Sequence, residues 1–174
     1  MLTPRAYHPA VPRLRSDMGF TLLELMLALV VAAVLAAIAL PAYHDQVRRS
    51  RRVDAITAIT QVLQAQERHR ANRSSYGERF IVRGGGLAGV GATTNADAAA
   101  SHLSPGGWYE LRLSDVGATG YTIVATAQGS QQADTSCARL QLTLAGGNLA
   151  HDSGATSGAL HGAASAANRR CWNR

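Results

Sequence analysis

The chain has 174 residues, enough for one ordinary domain plus an accessory segment, and its formal net charge is +6. All 17 basic side chains are arginine, and the charge is unevenly spread. Residues 1–19 hold three arginines and one aspartate, residues 44–72 six arginines and three acids, and residues 73–174 eight arginines against six acids. The C-terminal part is therefore close to neutral, which weakens a nucleic-acid reading resting on basicity alone.

The first element is an apolar run. Residues 18–27 read MGFTLLELML, and from Leu25 to Tyr43 nineteen residues carry no charge. A helix of about twenty such residues crosses the hydrocarbon core of a bilayer. Three readings compete. A cleaved secretory signal has Arg13 and Arg15 as its basic start and Ala37-Ile38-Ala39 as its cleavage site, but the run is long and Glu24 at its beginning hinders insertion. A plain membrane anchor leaves the Glu24 carboxylate without a partner. A specialised segment supplies one: a cut between Gly19 and Phe20 creates an amine four residues before Glu24, and that amine can neutralise Glu24 of a neighbouring chain.

The start GFTLLEL, the run rich in alanine, valine and leucine, and then Pro41 resemble the N-terminal signature of type IV pilins, shared with the pseudopilins of type II secretion. The resemblance implies a leader over residues 1–19, removed by a prepilin peptidase between Gly19 and Phe20. It also implies N-methylation of Phe20, subunit assembly through Glu24, and a helix kink at Pro41. Arg48, Arg49, Arg51 and Arg52 follow the run and by themselves favour the opposite membrane orientation. The cleavage signature keeps the leader in the cytoplasm and the rest outside.

Residues 20–43 form the membrane and polymerisation half of the helix, and residues 44–72 its amphipathic half. Val53, Ile56, Ile59 and Leu63 recur at helical spacing, flanked by Ala55, Ala58 and Val62, so they are expected to face a domain. The arginines and Gln61, Gln64 and Gln66 fall mostly off this face. The arginines read either as a solvated face touching lipid headgroups or as a seam pairing with acids such as Asp45 or Asp54 of neighbouring subunits. Ser74-Ser75-Tyr76-Gly77 ends the helix.

The head spans residues 73–174. Residues 73–106, rich in glycine and alanine, read as a long surface connection. Their literal G-x-G-x-x-G at 84–89 lacks the helix that a dinucleotide site needs, so it reads as a flexible loop. WYELRL, GYTIVATA and CARLQLTL each alternate with period two, and Ala145-Gly146-Gly147-Asn148 turns toward a short fourth strand at Leu149. The expected fold class is α+β: a long N-terminal helix packed on an antiparallel sheet of about four strands, which is also the pilin architecture.

The tail from His151 is rich in small residues and lacks the apolar groups to hold itself by packing. Cys137 and Cys171 are too sparse for a zinc site, and the six histidines show no metal spacing. In an exported chain a disulfide is the natural reading, against the alternative of two free thiols. Residues 137–171 look like the C-terminal disulfide loop of type IV pilins, and CxxLxL…CW resembles PilE- and ComP-like minor pilins in particular. Adjacent His151, Asp152 and Ser153 cannot adopt a hydrolase geometry together, and no enzymatic constellation or cofactor is expected.

The resemblance thus implies a type IV pilus subunit, a minor pilin of motility, adhesion or DNA uptake. Its partners are other pilins, the prepilin peptidase, the inner-membrane assembly machinery and the membrane itself. It is held in the inner membrane of a Gram-negative bacterium with its head in the periplasm, and afterwards resides in an extracellular pilus. One alternative is a minor pilin that binds DNA for natural transformation, with Arg169, Arg170 and Arg174 contacting phosphates and Trp172 stacking on bases. A type II secretion pseudopilin is the other, disfavoured by the cysteine loop.

Overall fold

The computed structural model describes residues 19–92 and 97–173. The leader expected over residues 1–19 therefore lies outside the described residues except for Gly19. Helix α1 (Leu22–Arg70) contains Pro41, which also separates two compact units, one ending at Pro41 and the other spanning Ala42–Arg174. In the first unit no helical side chain is buried, and the apolar stretch is long enough to cross a membrane. Leucines, valines and alanines drive helix formation there. Pro41 removes one backbone donor without ending the helix.

In the second unit, β4 (Ser101–Leu103), β5 (Tyr109–Ser114), β6 (Gly120–Ala127), β7 (Arg139–Ala145) and β8 (Asn148–Gly154) form an antiparallel sheet in that order. The period-two pattern is realised as burial. Tyr109 and Leu111, Tyr121, Ile123 and Ala125, then Leu140, Leu142 and Leu144 are all buried on the face that receives α1. A helix on an antiparallel sheet is thus the architecture. The sheet has five strands rather than about four because Ser101–Leu103 joins β5 as an edge.

Three expectations need correction. The buried helix face is Ala55, Ala58, Ile59, Val62, Ala65 and Gln66, whereas Val53 is 48% exposed and Ile56 and Leu63 are only partly buried. Three alanines share the centre of that face with Ile59 and Val62, and Ile56 and Leu63 flank it. Gln66 belongs to that face for another reason. Its amide nitrogen donates to the Gly77 carbonyl and its carbonyl accepts the Gly77 N–H, both at 2.8 Å. A Cβ on Gly77 would meet Val90 at 2.7 Å, so only glycine fits there.

The second correction concerns residues 73–106, which are not simply a surface connection. β1 (Arg79–Arg83) lies between β2 (Gly86–Gly91) and β3 (Ala98–Ala99) in a three-stranded antiparallel sheet, and Phe80 and Val90 enter the core. The glycines at 84 and 85 have φ of 58° and 80° and form a hairpin turn between strands, not a loop opening a helix. Backbone pairing organises this region, so its few apolar side chains hide it from pattern reading.

The tail is the third. β8 runs seven residues through Leu149 to Gly154, and helix α2 (Ala166–Cys171) follows, with Ser165 capping its start. Backbone carbonyls of β8 hold the tail: His151 accepts from the Asn168 amide at 2.8 Å and Asp152 from the Trp172 indole at 3.1 Å. Ser153 and His161 add a bridge. Polar stitching to a sheet edge, together with Cys171 and Trp172 entering the core, holds a tail otherwise poor in apolar groups.

Candidate functional site

At the start of α1, Gly19 and Phe20 precede the helix, and Phe20 is 81% exposed. The Thr21 hydroxyl accepts the Glu24 N–H at 3.2 Å, and the Thr21 carbonyl accepts the Leu25 N–H at 3.2 Å. Thr21 is therefore the N-cap and Glu24 the third helical residue, the T-x-x-E spacing of a capping box. Sequence reasoning missed this local role, although the spacing was there to read. The Glu24 carboxylate also sits in the helix's first turn, where the macrodipole favours negative charge.

The arginines after Pro41 divide by partner. Arg52 grips Asp134 as a fork, Nε to Oδ2 at 2.6 Å and Nη2 to Oδ1 at 3.1 Å, with Asp134 almost fully buried. Its remaining nitrogen donates to the Arg170 carbonyl at 3.3 Å. Arg51 lies 3.6 Å over the Trp108 ring and donates to Ser130. Arg48 approaches Asp45 at 3.5 Å. Asp54, offered to neighbouring subunits by the sequence, instead accepts from the Ser104 hydroxyl and the Gly106 N–H within the same head.

Behind Asp134, the buried Gln131 amide donates to the Tyr109 hydroxyl at 3.1 Å, to Asp134 at 3.2 Å and to the Arg48 carbonyl at 3.3 Å. Tyr109 donates to the Cys137 carbonyl at 3.3 Å, and burial pushes its phenol up to about 12, opposed by the Gln131 hydrogen bond. Cys137 and Cys171 are joined in a disulfide with Cα atoms 5.4 Å apart. The network and the disulfide together set α2 beside α1. No sequence pattern marks Gln131 or Asp134, which lie in a turn between strands.

The result is a groove of about 610 Å³ with Asp45, Arg49 and Arg52 on the α1 side and Arg169 and Arg170 on the other. Among the described residues no carboxylate lies within ion-pair distance of Arg49, Arg169 or Arg170. Such a surface is suited to phosphate or carboxylate oxygens, which guanidinium forks bind in pairs. Of the four residues offered for DNA contact, Arg169 and Arg170 are exposed on this rim, and Arg174 lies outside the described residues. Trp172 is 7% exposed, with its ring edge-on to His151 at 4.8 Å and its N–H given to Asp152. It anchors the tail and is not available to stack on a base.

Comparison with known proteins agrees with this architecture. Residues 17–40 match the prokaryotic N-terminal methylation motif. A fimbrial protein EcpC of Eikenella corrodens is 57% identical over 37 residues, covering 21% of this chain and 24% of that protein. A fimbrial protein of Moraxella nonliquefaciens is 46% identical over 44 residues, covering 25% and 29%. The matched stretch thus spans only about a quarter of these curated relatives. Residues 41–141, more than half of the chain, match the family described as type IV minor pilin ComP, DNA uptake sequence receptor, and the chain belongs to that family.

Proposed function

We propose that this minor pilin captures DNA at the cell surface for natural transformation, after assembling into a pilus from a membrane-held precursor. Maturation begins with hydrolysis between Gly19 and Phe20 by the prepilin peptidase, followed by N-methylation of Phe20. The new amine and Glu24 of adjoining subunits then neutralise each other as the inner-membrane machinery inserts the chain into the filament. The head waits in the periplasm of a Gram-negative cell until that step.

The observation that supports DNA capture is the basic rim of Arg169 and Arg170, free of described carboxylate partners, in a chain matching a DNA uptake receptor family. These arginines would contact phosphates, which position a duplex without reading its sequence. The test is duplex binding by the detergent-solubilised full chain across a salt series. Arg169→Gln/Arg170→Gln should lower the slope of log affinity against log salt by about 2, near one unit per phosphate contact. Absence of binding by the unaltered chain at low salt would remove the reading.

A further inference from the structure

The basic groove begins where the apolar run ends. Its first lining residue, Ala42, directly follows Pro41, and the uncharged stretch stops at Tyr43. Asp45, Gln46, Arg49 and Arg52 then recur along one side of the helix. Arg49 is seven residues beyond Ala42, about 10 Å of helix. The headgroup layer extends about 5–8 Å past the hydrocarbon on each side of a bilayer. Counted along the chain, Arg49 falls a few ångström beyond that layer, a gap that an arginine side chain reaching back toward the headgroups can span.

The chemistry fits that depth. Arg52 is occupied by Asp134, whereas Arg49, Arg169 and Arg170 have no described acid partner. Asp45, the one carboxylate on the rim, lies beside Arg48. A cleft of about 610 Å³ is of the size that takes a small ligand, about 300–1,000 Å³.

We propose that this groove binds the phosphate headgroup of an anionic phospholipid in the leaflet facing the head, while the chain is held in the membrane before assembly. The lipid completes the charge balance of Arg49 and Arg170, and extraction into a filament leaves the groove empty. The proposal rests on the membrane-held precursor described above, and not on DNA capture.

The test reconstitutes the full chain in nanodiscs of phosphatidylcholine containing a minor share of phosphatidylglycerol. Lipid retained after mild detergent extraction is then identified by native mass spectrometry. The unaltered chain should retain phosphatidylglycerol well above its bulk share. Arg49→Gln/Arg170→Gln should weaken that retention by about tenfold or more, given the attraction that each surface arginine feels toward an anionic leaflet. Arg83→Gln/Arg112→Gln, which removes equal charge elsewhere on the head, should leave retention unchanged. Retention at the bulk ratio by the unaltered chain, or equal loss in both double variants, overturns the proposal. Inorganic phosphate titrated into phosphatidylcholine-only discs separates the sources: free phosphate bound as tightly as the lipid would make this a soluble-anion site. No DNA is present in these arms and no anionic lipid in the DNA assay, so either reading can fail alone.

Discussion

Glu24 carries two separable physical roles. Within its own chain it is the third residue of a helix capped by Thr21, a local arrangement that the spacing T-x-x-E carries and that sequence reasoning missed. Between chains, in the assembly we propose, it is the carboxylate whose counter-charge the cleaved Phe20 amine would supply. The two roles predict different phenotypes. Thr21→Ala should loosen the first turn at a cost of about 1 kcal/mol and leave pilus incorporation largely intact. Glu24→Ala should leave leader removal intact yet sharply reduce incorporation, measured by N-terminal mapping and sheared-pilus immunoblotting. Equal incorporation of both variants would assign Glu24 to helix capping alone. At this scale the sequence carried the local Thr21–Glu24 signal in its spacing, although it went unread. It misled at Trp172, whose position among arginines suggested stacking on bases, because the Asp152 carbonyl that takes its N–H lies 20 residues away.

Among the elements, the sheet was easier to read than the surface that covers it. WYELRL and CARLQLTL alternate cleanly because each strand has one wet face and one dry face. The helix face was assigned to Val53, Ile56, Ile59 and Leu63 with flanking alanines and Val62; Ile59, Val62 and the alanines are buried, but Val53 is exposed and Gln66 takes a place on the face. A buried glutamine is invisible to periodicity, since what justifies it is a backbone 11 residues away. Gln66→Leu keeps the volume but strands both polar groups of buried Gly77. It should cost about 2–5 kcal/mol, an unmade hydrogen bond being about 1–3 kcal/mol for each group. Thermal unfolding of the solubilised chain would measure it, and a loss below 1 kcal/mol would show that water replaces the amide. The β1–β2 hairpin escaped for a related reason, because glycines contribute backbone pairing and no pattern.

For the whole chain, a net charge of +6 said less about function than the way its arginines are divided. Arg51 and Arg52 are engaged by residues of the head and Arg48 pairs with Asp45 on its own helix, whereas Arg49, Arg169 and Arg170 have no described acid partner. On the topology we propose, that division lets an arginine cluster follow the apolar segment on the non-cytoplasmic side, because Arg51 and Arg52 become internal structure once the head folds. The disulfide governs the rest. Cys137→Ser/Cys171→Ser should destabilise the head by about 3–4 kcal/mol for a loop of this length. It should also release α2, shifting Trp172 fluorescence to the red as its ring meets water. Unchanged emission would mean that polar stitching alone holds the tail.

Helix α2 has six residues, too few to persist without support. Until Cys137 and Cys171 are oxidised, one side of the groove rests on its hydrogen bonds to β8 without a covalent brace, and oxidation is a reaction of compartments outside the cytoplasm. The crosslink therefore works as a clock as much as a brace. On the proposed topology, a chain still facing the cytoplasm would show its α1 arginines beside an unbraced second wall. Export would then lock that wall, so competence to engage a phosphate would become a record of where the molecule has been.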